Sequence, residues 1–420
     1  MHLAYGETGL DVELPADRTR VVEPRFEPGL TDPDAALLDA LRDPVAGPPL
    51  RELARGRRTV AISVCDATRP QPREAMLRAV LDELDGVVDL DDVVILVATG
   101  THRGNTPQEL RAMLGDEIVD RIRVVNHDAR DASSLTWCGV HGDGVPVWLN
   151  AEWVAADLKI TTGFVEPHFF AGFSGGPKLC APGLAGLDTV LVLHDARRIG
   201  HPDARWGVCE GNPVHDDITR VALGTGVDFA FDVLLNRDKQ IVAAYAGELM
   251  PMHRRAREHS RQISMQAVPD RADVVVTTNS GYPLDQNLYQ AVKGMSAAAT
   301  VVRPGGAIIC AAECRDGFPD HGSFREVLAS EPSPEALLRS IEQRAETIPD
   351  QWQVQVQAKL QAQARIHVRS EFLDPDDLRS AHLEPVEDIA ALVEQELAAA
   401  GPSAWVCVLP EGPQTIPYLA

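Results

Sequence analysis

The stretch Leu158-Lys-Ile-Thr-Thr-Gly-Phe-Val165, continued by Glu166-Pro-His-Phe-Phe-Ala-Gly-Phe-Ser-Gly-Gly-Pro-Lys-Leu-Cys-Ala-Pro-Gly183, decides how this chain folds. Its first part is a short apolar run of the kind that forms a buried strand. Its second part gathers His168, the loop glycines Gly172, Gly175 and Gly176, Lys178, and the prolines Pro177 and Pro182. A loop this rich in glycine lets the backbone approach a ligand closely and aim amide groups at it. A lysine within it serves as a phosphate contact or a nucleophile. The plainer alternative is a strand-to-helix turn with no ligand.

Working outward, the same pattern occurs three times before this stretch. Apolar runs at 58–64, 92–98 and 122–125 read as strands, and helical patterns cover 73–84 and 107–114. Each strand hands over to polar residues: Cys65-Asp66-Ala67-Thr68-Arg69-Pro70, Thr99-Gly100-Thr101-His102-Arg103, and Asn126-His127-Asp128. Strands alternating with helices predict a parallel α/β sheet, which binds ligands at the carboxyl ends of its strands. Downstream, a helix over 187–198 carries His194, and another covers 213–224. Residues 227–235 and 240–246 suit an antiparallel pair, and a basic helix spans 249–264.

Val268-Pro269-Asp270 then marks a boundary, after which the alternation restarts. A strand at 272–278 leads to a helix at 284–298 and a strand at 307–312. Helices at 335–346, 351–365 and 386–399 follow, with a closing strand at 405–409. Upstream of the first α/β repeat, residues 8–14 alternate as a strand and 23–49 read as a proline-rich connector. The expected fold class is α/β, with two α/β domains and an active-site cleft between them. An N-terminal domain, 1–267, would carry the cofactor loop and the histidines. A C-terminal domain, 268–405, would close the cleft. Residues 406–420 form a strand or tail whose return to the first domain is left open.

Composition narrows the function classes. A chain of 420 residues exceeds what one core normally serves. Its 45% hydrophobic and 24% charged content is that of a globular protein. With 39 basic against 62 acidic residues the net charge is -23, which argues against a nucleic-acid partner and requires a local basic pocket for any anionic substrate. The N-terminus lacks the basic-then-apolar pattern of a signal peptide, and no run reaches the roughly 18 apolar residues of a membrane helix. Seven scattered cysteines suggest neither a disulfide framework nor a zinc site. Cys310 and Cys314 have metal-like spacing but fall on a strand and its exit, so they read as structural. The expected compartment is the cytoplasm, without membrane association. No tandem repeat is present, and the oligomeric state is left open.

Three histidines stand out: His102, His168 and His194. Singly, each is better explained by an ordinary surface or hydrogen-bonded role than by a functional one. Jointly, they suit two acid/base groups on either side of a substrate, or a metal ligand. Asp66, Thr68 and Arg69 suit a carboxylate or phosphate, the alternative being a helix cap. His127 and Asp128 are candidates for support from behind the site. In the second half, Tyr289, Gln290 and Lys293 share a helix face, which alone reads as a solvated surface. Trp352 alone reads as a packing residue.

Together these residues resemble the nickel-pincer-nucleotide lactate racemases and their relatives. The matching motifs are Asp66-Ala-Thr-Arg-Pro70, Ala98-Thr-Gly-Thr-His-Arg103, Pro167-His168, Ala171-Gly-Phe-Ser-Gly-Gly-Pro-Lys178, His194, and Tyr289-Gln290 with Lys293. Tyr5-Gly6 and Trp352 also fit, so the resemblance covers essentially the whole chain in one order. It implies a pyridinium-3-thioamide-5-thiocarboxylic acid mononucleotide that carries nickel and is covalently linked through Lys178. It further implies His194 as the protein's nickel ligand and His102 and His168 as the acid/base pair. Asp66, Thr68, Ser174, Gly175 and Gly176 would lie near the cofactor. Arg69, Tyr289, Gln290, Lys293 and Trp352 would lie near the substrate.

The implied reaction is racemisation or epimerisation of a 2-hydroxy acid, lactate-like or larger, by reversible proton-coupled hydride transfer through a 2-oxo acid. Oxidation avoids removing a weakly acidic carbon-bound hydrogen beside a carboxylate. Enzymes that build the cofactor are the implied partners, besides the small-molecule substrate. The alternatives are an aldonate 2-epimerase with the same cofactor, a zinc hydrolase using His102, His168 and His194, and a non-catalytic nucleotide-binding protein. Phe169-Phe170 and Pro177 are positions at which the pocket would be reshaped.

Overall fold

In the computed structural model, which describes residues 1–319 and 322–420, the strand Val60–Cys65 is buried along its whole length. Continuous apolar runs of this kind suit the centre of a parallel sheet covered on both faces. Around it a six-stranded sheet runs in the order Ile241–Gly247, Phe229–Leu235, Leu158–Phe164, Val60–Cys65, Val93–Ala98, Arg123–Asn126. All neighbours are parallel except the first pair, which is the expected antiparallel one. Register pairs Val60 with both Val93 and Leu158, and Asp232 with Gly163.

From the Val60 strand the chain moves outward in one direction to the Val93 and Arg123 strands. From the Leu158 strand it moves the other way, to the Phe229 strand. The topological switch therefore lies between Val60–Cys65 and Leu158–Phe164, where an open α/β sheet forms its ligand crevice beyond the strand ends. The loops leaving these strands carry Asp66–Arg69 and the Gly/Lys stretch.

The second sheet is six-stranded and wholly parallel: Glu384–Pro385, Arg365–Arg369, Val302–Ala311, Ala272–Thr278, Val406–Leu409, Thr19–Val21. Ile416–Leu419 makes a separate parallel pair with Met265–Val268. The fold is α/β in two compact units, which do not follow the linear order of the chain. One comprises Phe26–Leu193 and Asp203–Arg261; the other comprises Met1–Arg25, His194–Pro202 and Gln262–Ala420. Each has its own core, the first on Ile62, Ile95 and Ile160, the second on Val274, Ile309 and Val408. Among the described residues no helix is long and apolar enough to cross a membrane.

Three of the elements that differ from expectation have a local cause in the sequence. The proline-rich connector contains a helix, Pro33–Arg42: Asp32 caps it by accepting from Ala35 N–H, Pro33 sits where no amide is needed, and Leu37 and Leu41 are buried one turn apart. The expected helix over 187–198 is two helices, Leu187–Leu193 and Ala196–Gly200, because Asp195 accepts from Arg198 N–H at 2.7 Å and starts a new one. His194 thus lies in the break rather than on a helix. The helix expected from 284 begins at Leu288, capped by Asn287. Asp285 lies outside it and accepts from the amides of Gly6 at 2.8 Å and Glu313 at 3.0 Å.

Candidate active site

The turn after Val60–Cys65 is held from inside by two buried side chains. Gln71 accepts from Cys65 N–H at 2.8 Å and donates to Thr162 Oγ1 at 2.9 Å, joining the two strands that flank the switch point. Arg73, in the first turn of the helix Arg73–Leu84, donates to the carbonyls of Cys65, Gln71, Asp66 and Arg69. Four carbonyls around one guanidinium leave this turn little freedom. Asn105 Oδ1 accepts from Ala67 N–H at 3.0 Å, and Asn126 Oδ1 accepts from Asn105 N–H at 2.9 Å, linking three strand-end loops.

On this support Asp66 is buried and its Oδ2 meets His102 Nδ1 at 2.7 Å, while Thr68 donates its hydroxyl to Asp66 Oδ1 at 2.7 Å. Burial works to raise the Asp66 pKa, but the His102 hydrogen bond and then the Arg69 charge outweigh it and hold the group at about 2. An ionised carboxylate can only accept, so His102 donates a proton from Nδ1, and the neutral form of the ring would present its Nε2 lone pair. Arg69 is half-buried and donates to Thr68 Oγ1 at 3.2 Å.

The Gly/Lys loop is tied down with equal care. Pro167–His168 pairs with Gly172–Phe173 as a miniature hairpin. Gly172 has φ +77°, and a Cβ there would collide with the Val208 carbonyl, so no other residue fits. Ser174 donates its hydroxyl to Phe164 O at 3.0 Å and accepts from Glu166 N–H at 2.9 Å. Ser63 donates to Leu179 O at 2.8 Å, and Gly100 N–H to Gly183 O at 3.0 Å. The last bond joins the His102 loop to the end of the lysine loop.

Three of the loop's amides are engaged within the protein. Ser174 N–H donates to Glu166 O, Lys178 N–H to Gly175 O, and Gly176 N–H to Asp232 Oδ2 at 2.7 Å. Glycine is needed here for close packing: a Cβ on Gly175 would lie 2.7 Å from Asp232 Oδ2, and one on Gly176 would lie 2.6 Å from the His253 ring. Ser174, Gly175 and Gly176 thus shape the turn that presents Lys178.

Within this loop His168 Nδ1 accepts from Ala171 N–H at 3.2 Å. A backbone amide can only donate, so the neutral ring keeps its proton on Nε2, the opposite tautomer to His102. The imidazole stacks on Phe169 at 4.9 Å and meets the edge of Phe170 at 4.5 Å. The Lys178 ammonium lies 5.8 Å from the centre of the Phe170 ring. Phe170 therefore lies against both the His168 ring and the Lys178 ammonium. His127 is buried and donates to Ala185 O at 2.9 Å, and Asp128 accepts from Arg130 N–H at 2.9 Å, so both brace loops from behind.

In the other unit, Trp352 donates its indole N–H to Tyr289 Oη at 3.0 Å, and its ring lies 4.8 Å from that of His194. Lys293 donates to Gln290 Oε1 at 2.6 Å. Tyr289, Gln290 and Lys293 all lie on the helix Leu288–Ala299, so this helix and Trp352 bring the second set of predicted residues together. Gln355 and Lys359, on the same helix as Trp352, donate to the carbonyls of Ala196 and of Ile199 and Gly200, fixing the segment that follows His194.

Among the described residues no group of three or more His, Cys, Asp or Glu side chains is arranged to hold a metal, so the three-histidine zinc site finds no support. All seven cysteines are free, with Cys310 and Cys314 both buried. The donor set suits the implied cofactor better. Lys178 is a primary amine on an immobilised turn and can be acylated; His194 offers an imidazole nitrogen to a borderline metal such as nickel.

Known proteins resemble the chain over most of its length. Residues 5–207 match the family described as Lactate racemase N-terminal domain, and residues 267–416 match Lactate racemase C-terminal domain. The chain is 33% identical to the lactate racemase of Thermoanaerobacterium thermosaccharolyticum, across 99% of this chain and 98% of that protein. It is 36% identical to the lactate racemase of Lactiplantibacillus plantarum, across 89% and 88%. The lactate racemase apoprotein structure from T. thermosaccharolyticum superposes with a TM-score of 0.94 at 33% identity, covering 99% of both chains. A protein from Thermotoga maritima shares the fold, with a TM-score of 0.67 at 16% identity, covering 92% of this chain and 98% of that one. The chain is an isomerase of the lactate racemase family.

Proposed function

We propose that this protein racemises a short 2-hydroxy acid, with lactate as the first candidate, using a nickel-pincer nucleotide tethered at Lys178 and ligated by His194. The observation that carries this reading is the Asp66–His102 pair at 2.7 Å, beyond one strand of the switch point, with His168 and Lys178 on the loop beyond the other. The related lactate racemases supply the substrate class.

When bound, the nucleotide supplies a reversible acceptor for the hydride of the carbinol carbon. The chain supplies the proton chemistry. His102 Nε2 takes the hydroxyl proton of one enantiomer, and the Asp66 carboxylate stays ionised and stabilises the imidazolium, as in other carboxylate–histidine pairs. His168 serves the opposite enantiomer. Its resting tautomer places the proton on Nε2; to donate that proton the ring must first take a second one on Nδ1 and act as the imidazolium, because loss from the neutral ring would leave an imidazolate. To act as a base there, it must first release the Ala171 amide from Nδ1 at 3.2 Å, which costs about 1 kcal/mol. The half-buried Arg69 guanidinium suits the substrate carboxylate, with Lys293 as a second cation, and holds the acid while its centre inverts. Tyr289, Gln290 and Trp352 complete the substrate-facing set. Thr68 and Ser174 act by fixing Asp66 and the lysine turn.

Enzymes that build and load the nucleotide are partners in this reading, and the cytoplasm is its compartment. Mass analysis of active protein tests it: a covalent addition on Lys178, with nickel and sulfur at one equivalent of cofactor per chain, is expected. Full racemase activity in nickel-free protein with an unmodified Lys178 overturns it.

A further inference from the structure

A second chemical feature lies behind the lysine loop. Phe173, Glu210, Arg254, Arg257, Glu258 and Arg261 line a cavity of about 160 Å³. The arginines stand at i, i+3 and i+7 of the helix Leu249–Ser264 and so share one face. Arg257 is 8% exposed, and its Nε is buried with no hydrogen-bond partner. Its ion-pair contact is Glu210 at 3.5 Å, a long contact to a carboxylate whose side chain is 84% exposed. Arg254 is exposed and makes no ion pair among the described residues. Arg261 lies over the Phe173 ring at 5.6 Å and donates to Gly207 O.

A buried guanidinium cannot discharge by losing its proton, so its charge must be met by an anion or remain uncompensated. The neighbouring histidines take the other course. His215, whose ring lies 5.8 Å from that of His253, is held at about 4 by burial and then by the Arg257 charge; His253 is held well below its ordinary range by the same two causes. Both rings are therefore neutral at physiological pH, and Arg257 is the charge left among them. Three arginines against two glutamates give the lining a net positive charge, on a chain whose net charge is -23. Glu258 has its own cation, Arg255, at 3.9 Å.

We propose that this cavity is an oxyanion site that takes a phosphate group, held by Arg257 from within and by Arg254 and Arg261 at its mouth. The cavity is large enough for one tetrahedral anion with water, and three guanidinium groups can meet phosphate oxygens by charge-assisted hydrogen bonds. The phosphate is either free or part of a bound nucleotide, and the two sources are separable.

The test is calorimetric titration of inorganic phosphate into cofactor-free full-length enzyme, with chloride matched for ionic strength. Saturable one-site binding is expected, weakened at least tenfold by Arg257→Gln and about threefold by the surface variant Arg254→Gln. Glu210→Gln and Glu258→Gln strengthen it, because each removes a competing carboxylate. Arg254→Gln and the glutamate variants alter exposed side chains, so they keep the test valid if Arg257→Gln does not fold. Binding that vanishes in cofactor-loaded enzyme assigns the site to the nucleotide's own phosphate; binding that persists assigns it to free phosphate. No saturable binding, or identical binding in wild type, Arg254→Gln and Glu258→Gln, overturns the proposal.

Discussion

Asp232→Asn should change how stability depends on pH, and the size of the change follows from the site. Asp232 is fully buried beneath the lysine loop, accepts from Gly176 N–H with Oδ2, and has no partner for Oδ1. Burial pushes its pKa from 3.8 up to about 7, against the smaller lowering effect of the Gly176 hydrogen bond. Between those two values the native state holds a proton that the unfolded chain releases. Unfolding free energy therefore falls as pH rises through this window and levels off above pH 7. A shift of roughly three units at 1.36 kcal/mol each makes the loss on the order of 4 kcal/mol.

Asparagine keeps a carbonyl for the Gly176 amide and cannot ionise. Urea unfolding of both proteins at pH 5, 6, 7 and 8 isolates the effect, since other titrating groups cancel in the difference. Between pH 5 and 8 the variant should gain on wild type by roughly 2.5 kcal/mol, the remainder of the window lying below pH 5, and then run parallel to it. A constant difference at all four pH values refutes the reasoning and means Asp232 is charged throughout.

Three further outcomes follow from named contacts. Asp66→Asn removes the partner that orients His102 and stabilises its cation. In steady-state racemisation kcat should drop by roughly 10²–10⁴-fold with little change in KM. Gly172→Ala places a Cβ against the Val208 carbonyl at φ +77°. Thermal unfolding should register a loss of about 2 kcal/mol or more, with lower occupancy of Lys178 by the cofactor. A double-mutant cycle of Trp352→Phe with Tyr289→Phe should give a coupling of about 1 kcal/mol, reporting the 3.0 Å hydrogen bond between the two side chains.

Much of this architecture was legible because its strands are centres of parallel sheets. Continuous apolar runs such as Val60–Cys65 and Ala272–Thr278 can be buried on both faces in one way only, and the polar residues that follow them mark the ligand edge. The helix Pro33–Arg42 escaped because its proline was read as connector chemistry, although at the first helical position a proline costs no hydrogen bond. The break at His194 escaped because apolar spacing continues across it, and only the cap by Asp195 reveals two helices.

At the site, the histidines and Lys178 could be named in advance, but not what holds them. Asp232 sits mid-strand in Phe229-Ala-Phe-Asp-Val-Leu-Leu235, and Arg73 in a first helical turn, where sequence offers no partner for either. A charged residue inside an apolar strand was the available signal for Asp232. Its meaning depends on Gly176, which is distant in sequence and meets it only in the folded unit.

The central claim is that the loop at the switch point serves racemisation of a 2-hydroxy acid. Chiral chromatography of pure L-lactate and pure D-lactate, each incubated with cofactor-loaded enzyme, tests it most directly. Both should converge on an equal mixture, and His102→Ala and His168→Ala should each slow the conversion at least 10²-fold. Unchanged enantiomers with fully loaded enzyme, or undiminished conversion by both histidine variants, would contradict it.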